Sequence, residues 1–298
     1  MAVSTVARPS LGRRFSAFLN RHRASRLAIT LAPPLGWMLV VYLGALVLLL
    51  VTAFWHVNPL TSEVEPAWSL ENFQKVATQE VYRTITLRTV RIAAMVTIVD
   101  VALAFPIAYY MARMARGRSR NLLLVAVVVP LWTNYLVRVF AWKTILGGRG
   151  PAESFLALFG IGAEGIGTSE LAVGITFCYL WLPYVILPIY AALERVPQSL
   201  LEASGDLGAR GWKTFRSIVW PLAFPGVVAA SIFSFSLTLG DYITPTLVGK
   251  GFFIGNTIYT FVGTANNLPL AAAFAMVPIV IIAVYMTLAR RLGAFEAL

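Results

Sequence analysis

Glu202 to Pro221 reads EASGDLGARGWKTFRSIVWP, a polar and charged island of twenty residues in an otherwise apolar chain. Apolar runs long enough to cross a bilayer flank it on both sides. The spacing within it predicts two short helices. Pro197 suits the first position of a helix. Leu200, Ala203, Ser204 and Leu207 then recur at helical spacing and form one mildly apolar face. Glu202 and Asp206 fall one turn apart on another face, where two like charges cost about 0.2–0.5 kcal/mol unless a cation meets them. Arg210 answers Asp206 if the helix continues, but Gly208 and Gly211 argue for a turn there. Glu202 is then the carboxylate left for an outside cation. In the second helix Trp212, Phe215 and Ile218 or Val219 take the apolar side, with Lys213 and Arg216 on the polar side. Pro221 is expected to end that helix and open the next apolar run. The expectation is a helix-turn-helix along a membrane surface, its charged tip in solvent; the alternative is an ordinary amphipathic interfacial loop.

Working outward, the chain has 298 residues, 58% hydrophobic and 12% charged, and a soluble domain of that size has no means of hiding so much apolar surface. A membrane-crossing helix takes about 20 apolar residues. Six segments meet that length: Pro34 to Phe54, Thr89 to Met111, Leu122 to Trp142, Leu171 to Ala191, Leu222 to Leu239 and Leu270 to Leu288. Basic residues gather in four places: Arg8, Arg13, Arg14, Arg21, Arg23 and Arg26 before the first span; Arg113, Arg116, Arg118 and Arg120 after the second; Arg195, Arg210, Lys213 and Arg216 after the fourth; and Arg290 and Arg291 after the sixth. With six spans these places share one side, which the positive-inside rule makes the cytoplasm. The opposite first loop carries Glu63, Glu65, Glu71 and Glu80. Residues 1–33 then form a basic cytoplasmic segment, either a solvated topogenic tail or an arm on anionic lipid. Residues 34–289 form the six-span domain with the loop at 194–221, and 290–298 a short cytoplasmic tail.

The net charge of +11 does not point to nucleic acid, because the charges flank apolar runs. The single cysteine, Cys178, permits no intrachain disulfide, and His22 and His56 stand far apart without a cysteine cluster, so no metal site is expected. The first apolar run is too long for a signal-peptide core and reads as a retained span. Pro106, Pro130, Pro183, Pro188, Pro225 and Pro278 fall inside spans, where each removes a backbone bond.

The island resembles the cytoplasmic signature of ABC importer permeases: Glu-Ala-Ala, three residues, Gly, nine residues, Ile, one residue, Leu-Pro. Glu202, Ala203, Gly208, Ile218 and Pro221 match it, while Ser204 and Trp220 depart from it. The resemblance implies an all-α, type I importer permease fold with six spans and both termini cytoplasmic. Its coupling helix lies between spans four and five and docks on a separate ATPase. Glu202, Ala203, Ser204, Asp206, Gly208 and Arg210 would meet that subunit. It implies a second permease, an ATPase dimer, a periplasmic or lipid-anchored binding protein, and a home in the bacterial inner membrane. The chain has no Gly-x-x-x-x-Gly-Lys-Ser/Thr phosphate loop, so it is expected to be non-catalytic and to hold no cofactor, with ATP and magnesium on the partner.

The runs PLWTNYLVRVFAW (Pro130 to Trp142), LPYVILPIYAALE (Leu182 to Glu194), LGDYITPTLVG (Leu239 to Gly249), IGNTI (Ile254 to Ile258) and NNLPLAAA (Asn266 to Ala273) look like the spermidine/putrescine branch. Neighbouring branches carry iron, sulfate, molybdate, thiamine or other organic cations. A polycation path calls for carboxylates and aromatic faces. Asp241 with Tyr242 at the outer end of span five, Asp100 within span two, and Trp132, Tyr135 and Tyr184 are the candidates, with Trp142, Tyr179 and Trp181 as further aromatics. Asp241 reads equally as a helix-end residue, the aromatics as belt or packing groups, and Asp100 as the partner of Arg138. From a different class, Asp100 would couple a secondary transporter to protons.

Overall fold

The computed structural model describes residues 23–58, 61, 63–148, 150–157 and 166–291; the basic run through Arg21 and the end of the tail lie outside them. The chain divides into two units between Thr52 and Ala53. In the first, α1 (Arg23–Met38) carries Pro33 and Pro34 and passes through a π turn, Leu39–Leu43, into α2 (Gly44–Thr52). Ile29–Thr52 is long and apolar enough to span a bilayer.

The second unit starts with a two-stranded antiparallel ribbon, β1 (His56–Val57) against β2 (Val64–Glu65), in register His56 to Glu65. It continues through α3 (Glu71–Thr78), α4 (Glu80–Tyr109), α5 (Arg118–Trp132), α6 (Tyr135–Leu146), α7 (Pro151–Ala157) and a 3₁₀ turn, Ile166–Thr168. Then come α8 (Glu170–Glu194), α9 (Gln198–Asp206), α10 (Gly211–Thr214), α11 (Trp220–Gly240), α12 (Ile243–Leu247), α13 (Ile254–Gly263) and α14 (Leu268–Arg291). The centre is a three-helix contact of α4, α8 and α11. Ala104, Ala108, Ile189, Leu193, Ala223 and Ala230 are fully buried or nearly so within it. Small residues matter because helices in lipid gain little from hydrophobic exclusion and rely on close van der Waals fit. At Gly226 an added Cβ would lie 2.2 Å from the Ala192 Cβ, so glycine sets the approach of α11 to α8.

Among the described residues five helical stretches are individually long and apolar enough to cross a membrane, and six if one bent pair counts as a single span. That pair corrects the expectation of one helix from Leu122 to Trp142. The helix breaks between Trp132 and Tyr135 and bends by more than 40°. Thr133 Oγ1 donates to the Pro130 carbonyl at 2.7 Å, and Asn134 Oδ1 accepts from the Leu136 N–H at 2.8 Å. These side chains offer the backbone an alternative to the helical ladder, just where Pro130 has weakened it. Hydropathy counts residues and is blind to such a break.

Two other boundaries differ. α4 starts at Glu80 rather than near Thr89, and where the apolar run begins Arg88 finds Glu170 Oε1 at 2.9 Å and Arg91 also pairs with Glu170. Pro221 does not end a helix: Gly211–Gly240 is one helical stretch, widened into a π turn at Phe215–Val219. Proline at the start of α11 lacks an N–H to give, and the wider turn absorbs the missing bond.

Candidate functional site

Two regions at opposite ends of α11 collect the sequence candidates. At the first, α9 and α10 form the hairpin. α9 ends at Asp206, and Gly208 takes φ +72°, a left-handed conformation open to glycine at little cost. The Gly208 N–H donates to the Gly205 carbonyl at 2.8 Å and the Ala209 N–H to the Ser204 carbonyl at 3.0 Å, closing the turn. Ser204 is buried, and its hydroxyl meets Thr214 Oγ1 at 2.8 Å, joining the two helices. Glu202, Ala203, Asp206 and Arg210 are exposed. Because α9 stops at Asp206, Arg210 does not pair with Asp206, and none of the three charged groups forms an ion pair among the described residues. Leu207 is 87% and Trp212 71% exposed, so the tip presents apolar bulk beside unpaired charge.

The base of the hairpin is aromatic. Phe215 stands edge-on to Phe105 at 5.7 Å and to Tyr109 at 6.3 Å between centroids, and Trp212 stacks on Phe215 at 5.5 Å. The turn is therefore seated on the end of α4. Phe105 and Tyr109 were not among the sequence candidates. Their spacing of four on one helix face was legible, but nothing in the sequence names their partner. Arg113 donates to the Leu193 and Val196 carbonyls, and Arg120 to the Tyr190 hydroxyl and Glu194. The sequence reading treated these arginines as topogenic alone; here they also tie off the C-terminal end of α8, where cations suit the helix dipole.

At the far end of α11 Asp241 is the hub. Its Oδ1 accepts from the Ile243 N–H at 2.7 Å and the Thr244 N–H at 3.1 Å. Its Oδ2 accepts from Thr244 Oγ1 at 3.0 Å and from the Tyr135 hydroxyl, which itself lies 2.8 Å from Thr244 Oγ1. Gly255 lets α13 approach, since a Cβ there would come 2.5 Å from the Asp241 carbonyl oxygen. One carboxylate thus joins the end of α11, the start of α12 and the bent span. Tyr135 stacks on Trp181 at 6.1 Å, and Trp181 in turn touches Tyr184. The structure brings Asp241, Tyr135 and, one ring away, Tyr184 together. Tyr242 instead stacks on Tyr259 at 4.9 Å, and Trp132 is 83% exposed at the bend.

Asp100 stands apart from both regions. It is fully buried in α4, accepts from Ser234 Oγ of α11 at 2.6 Å, and has the Cys178 thiol of α8 as a second hydrogen-bonding neighbour. The alternative that it pairs with Arg138 does not hold: no ion pair joins them.

Comparison with known proteins follows the same outline. Residues 104–294 match the family described as binding-protein-dependent transport system inner membrane component. The chain is 44% identical to the inner membrane ABC transporter permease protein YdcU of Escherichia coli strain K12, over 99% of this chain and 98% of that one. It is 30% identical to the spermidine/putrescine transport system permease protein PotB of Haemophilus influenzae, over 83% of this chain and 87% of that one. A chain of a bacterial alginate ABC transporter, solved with its alginate-bound periplasmic protein, superposes with TM-score 0.73 at 15% identity, over 95% of this chain and 98% of that one; at that identity it speaks for the fold alone.

Proposed function

From the premise that this chain belongs to the family of binding-protein-dependent transport system inner membrane components, we propose that it carries polyamines of the spermidine/putrescine type across the membrane. The chain is a permease subunit of an ABC importer, a non-catalytic class, and a multi-pass protein of the bacterial inner membrane. In the proposed complex a second permease completes the pathway, a dimeric ATPase lies on the cytoplasmic side, and an extracytoplasmic binding protein delivers solute. Both termini and the α9–α10 hairpin face the cytoplasm, in accord with the basic segments. ATP-driven closure of the ATPase pushes the hairpin, and the aromatic seat of Phe215 on Phe105 and Tyr109 passes that motion to α4. Asp100 of α4 is walled in by α8 and α11, which gives no support to proton coupling through it.

The observation that carries this reading is the hairpin itself: Glu202, Asp206 and Arg210 are exposed and unpaired around a glycine turn that is anchored at its base. Unpaired charge beside exposed Leu207 and Trp212 suits a protein partner better than lipid headgroups. For the substrate, the support is the likeness to the spermidine/putrescine permease. The test is uptake of labelled putrescine and spermidine by vesicles holding the whole complex, with and without internal ATP. ATP-dependent uptake of either is the expected result. ATP-driven turnover without polyamine uptake would remove the substrate and keep the importer, while uptake driven by a proton gradient alone would overturn the hairpin reading.

A further inference from the structure

Among the described residues of α4–α8, Arg138 is the buried arginine whose guanidinium finds no acceptor; Arg83 and Arg118 have none either but are exposed. Arg88 and Arg91 hold Glu170, Arg113 holds two carbonyls, and Arg120 holds Glu194 and Tyr190. Arg138, on the inner face of α6, is only 7% exposed, and its Nε and Nη1 are both buried without a hydrogen-bond partner. Its nearest aromatic neighbour on the same helix is Tyr135, 6.0 Å from guanidinium carbon to ring centroid. The acid of that neighbourhood is already taken: Asp241 accepts two backbone N–H groups, Thr244 and Tyr135. A desolvated guanidinium without an anion is among the costliest groups a membrane protein can keep, and within a span it marks a function by default. Its planar fork of donors matches the paired oxygens of a carboxylate.

We infer that Arg138 is an anion site which takes a carboxylate from outside this chain, borne by the second permease or by a zwitterionic amine carried beside polyamines. This rests on the importer reading, since it needs a pathway or a neighbouring permease beside α6. The bend at Thr133–Asn134 gives the site its place, because Asn134 starts α6 and turns Arg138 inward together with Tyr135 and Val139. A straight span through this region would have pointed the same face elsewhere.

The test uses the whole complex in vesicles with internal ATP, carrying wild type, Arg138→Gln or Arg138→Met. The probes are putrescine and 4-aminobutyrate, amines of the same length that differ in one carboxylate. If the solute brings the carboxylate, wild type imports 4-aminobutyrate, and both variants lose at least about tenfold of that uptake while keeping putrescine uptake, if any. If the second permease brings it, both variants lower the co-purified second permease and the melting temperature of the complex, and uptake of all solutes falls together. Variants that match wild type in co-purification, melting temperature and uptake of both probes would overturn the inference. So would Glu164→Gln, outside the described residues, if it reproduced the Arg138 phenotype, because the carboxylate would then be the chain's own. Wild-type vesicles without ATP-dependent uptake, but with an assembly defect in the Arg138 variants, would defeat the importer reading and leave the anion site standing.

Discussion

The two ends of α11 carry the same kind of residue in opposite states. At the hairpin, Glu202, Asp206 and Arg210 are exposed and hold no ion pair among the described residues. At the far end, Asp241 is engaged by four donors from its own chain. In sequence Asp206 and Asp241 are both acidic residues that directly follow a glycine. A carboxylate whose lone pairs are filled by its own fold acts as a strut between elements. One whose lone pairs face solvent is free for a partner. The difference separates a structural joint from a contact surface, and it predicts that mutation at one end shows up in stability and at the other in assembly.

The largest effect is expected from Asp241→Ala. It strands two backbone N–H groups and two hydroxyls, with a cost of about 2–5 kcal/mol, read as a lower melting temperature of the purified complex. An unchanged melting temperature with altered uptake kinetics would break the comparison, returning Asp241 to the pathway. Glu202→Arg should do the reverse. Melting stays within the roughly 0.5 kcal/mol of an ordinary surface change, while ATPase co-purification and transport fall by about tenfold or more. Normal co-purification and uptake in that variant would leave the hairpin an ordinary interfacial loop.

Two smaller substitutions sharpen the contrast. Tyr135→Phe removes one donor to Asp241 and leaves three; a loss of about 1.5–3 kcal/mol in unfolding free energy is expected, below that of Asp241→Ala. Equal losses in the two variants would mean that the other donors contribute little. Gly208→Ala puts a Cβ on a residue at φ +72° with open space around it, so strain of about 1–2 kcal/mol and no clash is expected. ATP-coupled transport should weaken modestly, without loss of insertion.

Much of the fold was legible in the residues. Apolar runs bound the number of spans at five or six, because about 20 apolar residues are what a bilayer core demands whatever the neighbours do. The hairpin was legible for a similar reason: glycines at 208 and 211 and the helical spacing on either side act locally. Its exposed tip followed from polarity in an apolar chain. The bend at Thr133–Asn134 was less visible, since hydropathy averages over residues that choose between ladder and side-chain bonds. Pro221 looked like a stop, but the π turn at Phe215–Val219 carried the helix through it.

What the residues alone determined was where the chain is solvated by lipid and where by water, because solvation is a property of each side chain and its near neighbours in sequence. Which charges are spent inside the fold was decided only by the tertiary structure. Tyr135 lies 106 positions from Asp241, and Ser234 lies 134 from Asp100. Arg138 and Asp100, two opposite charges in adjacent spans, form no ion pair, and Asp100 accepts from Ser234 instead. Partnership between charges depends on distances of a few ångströms between elements remote in sequence, and only packing sets those.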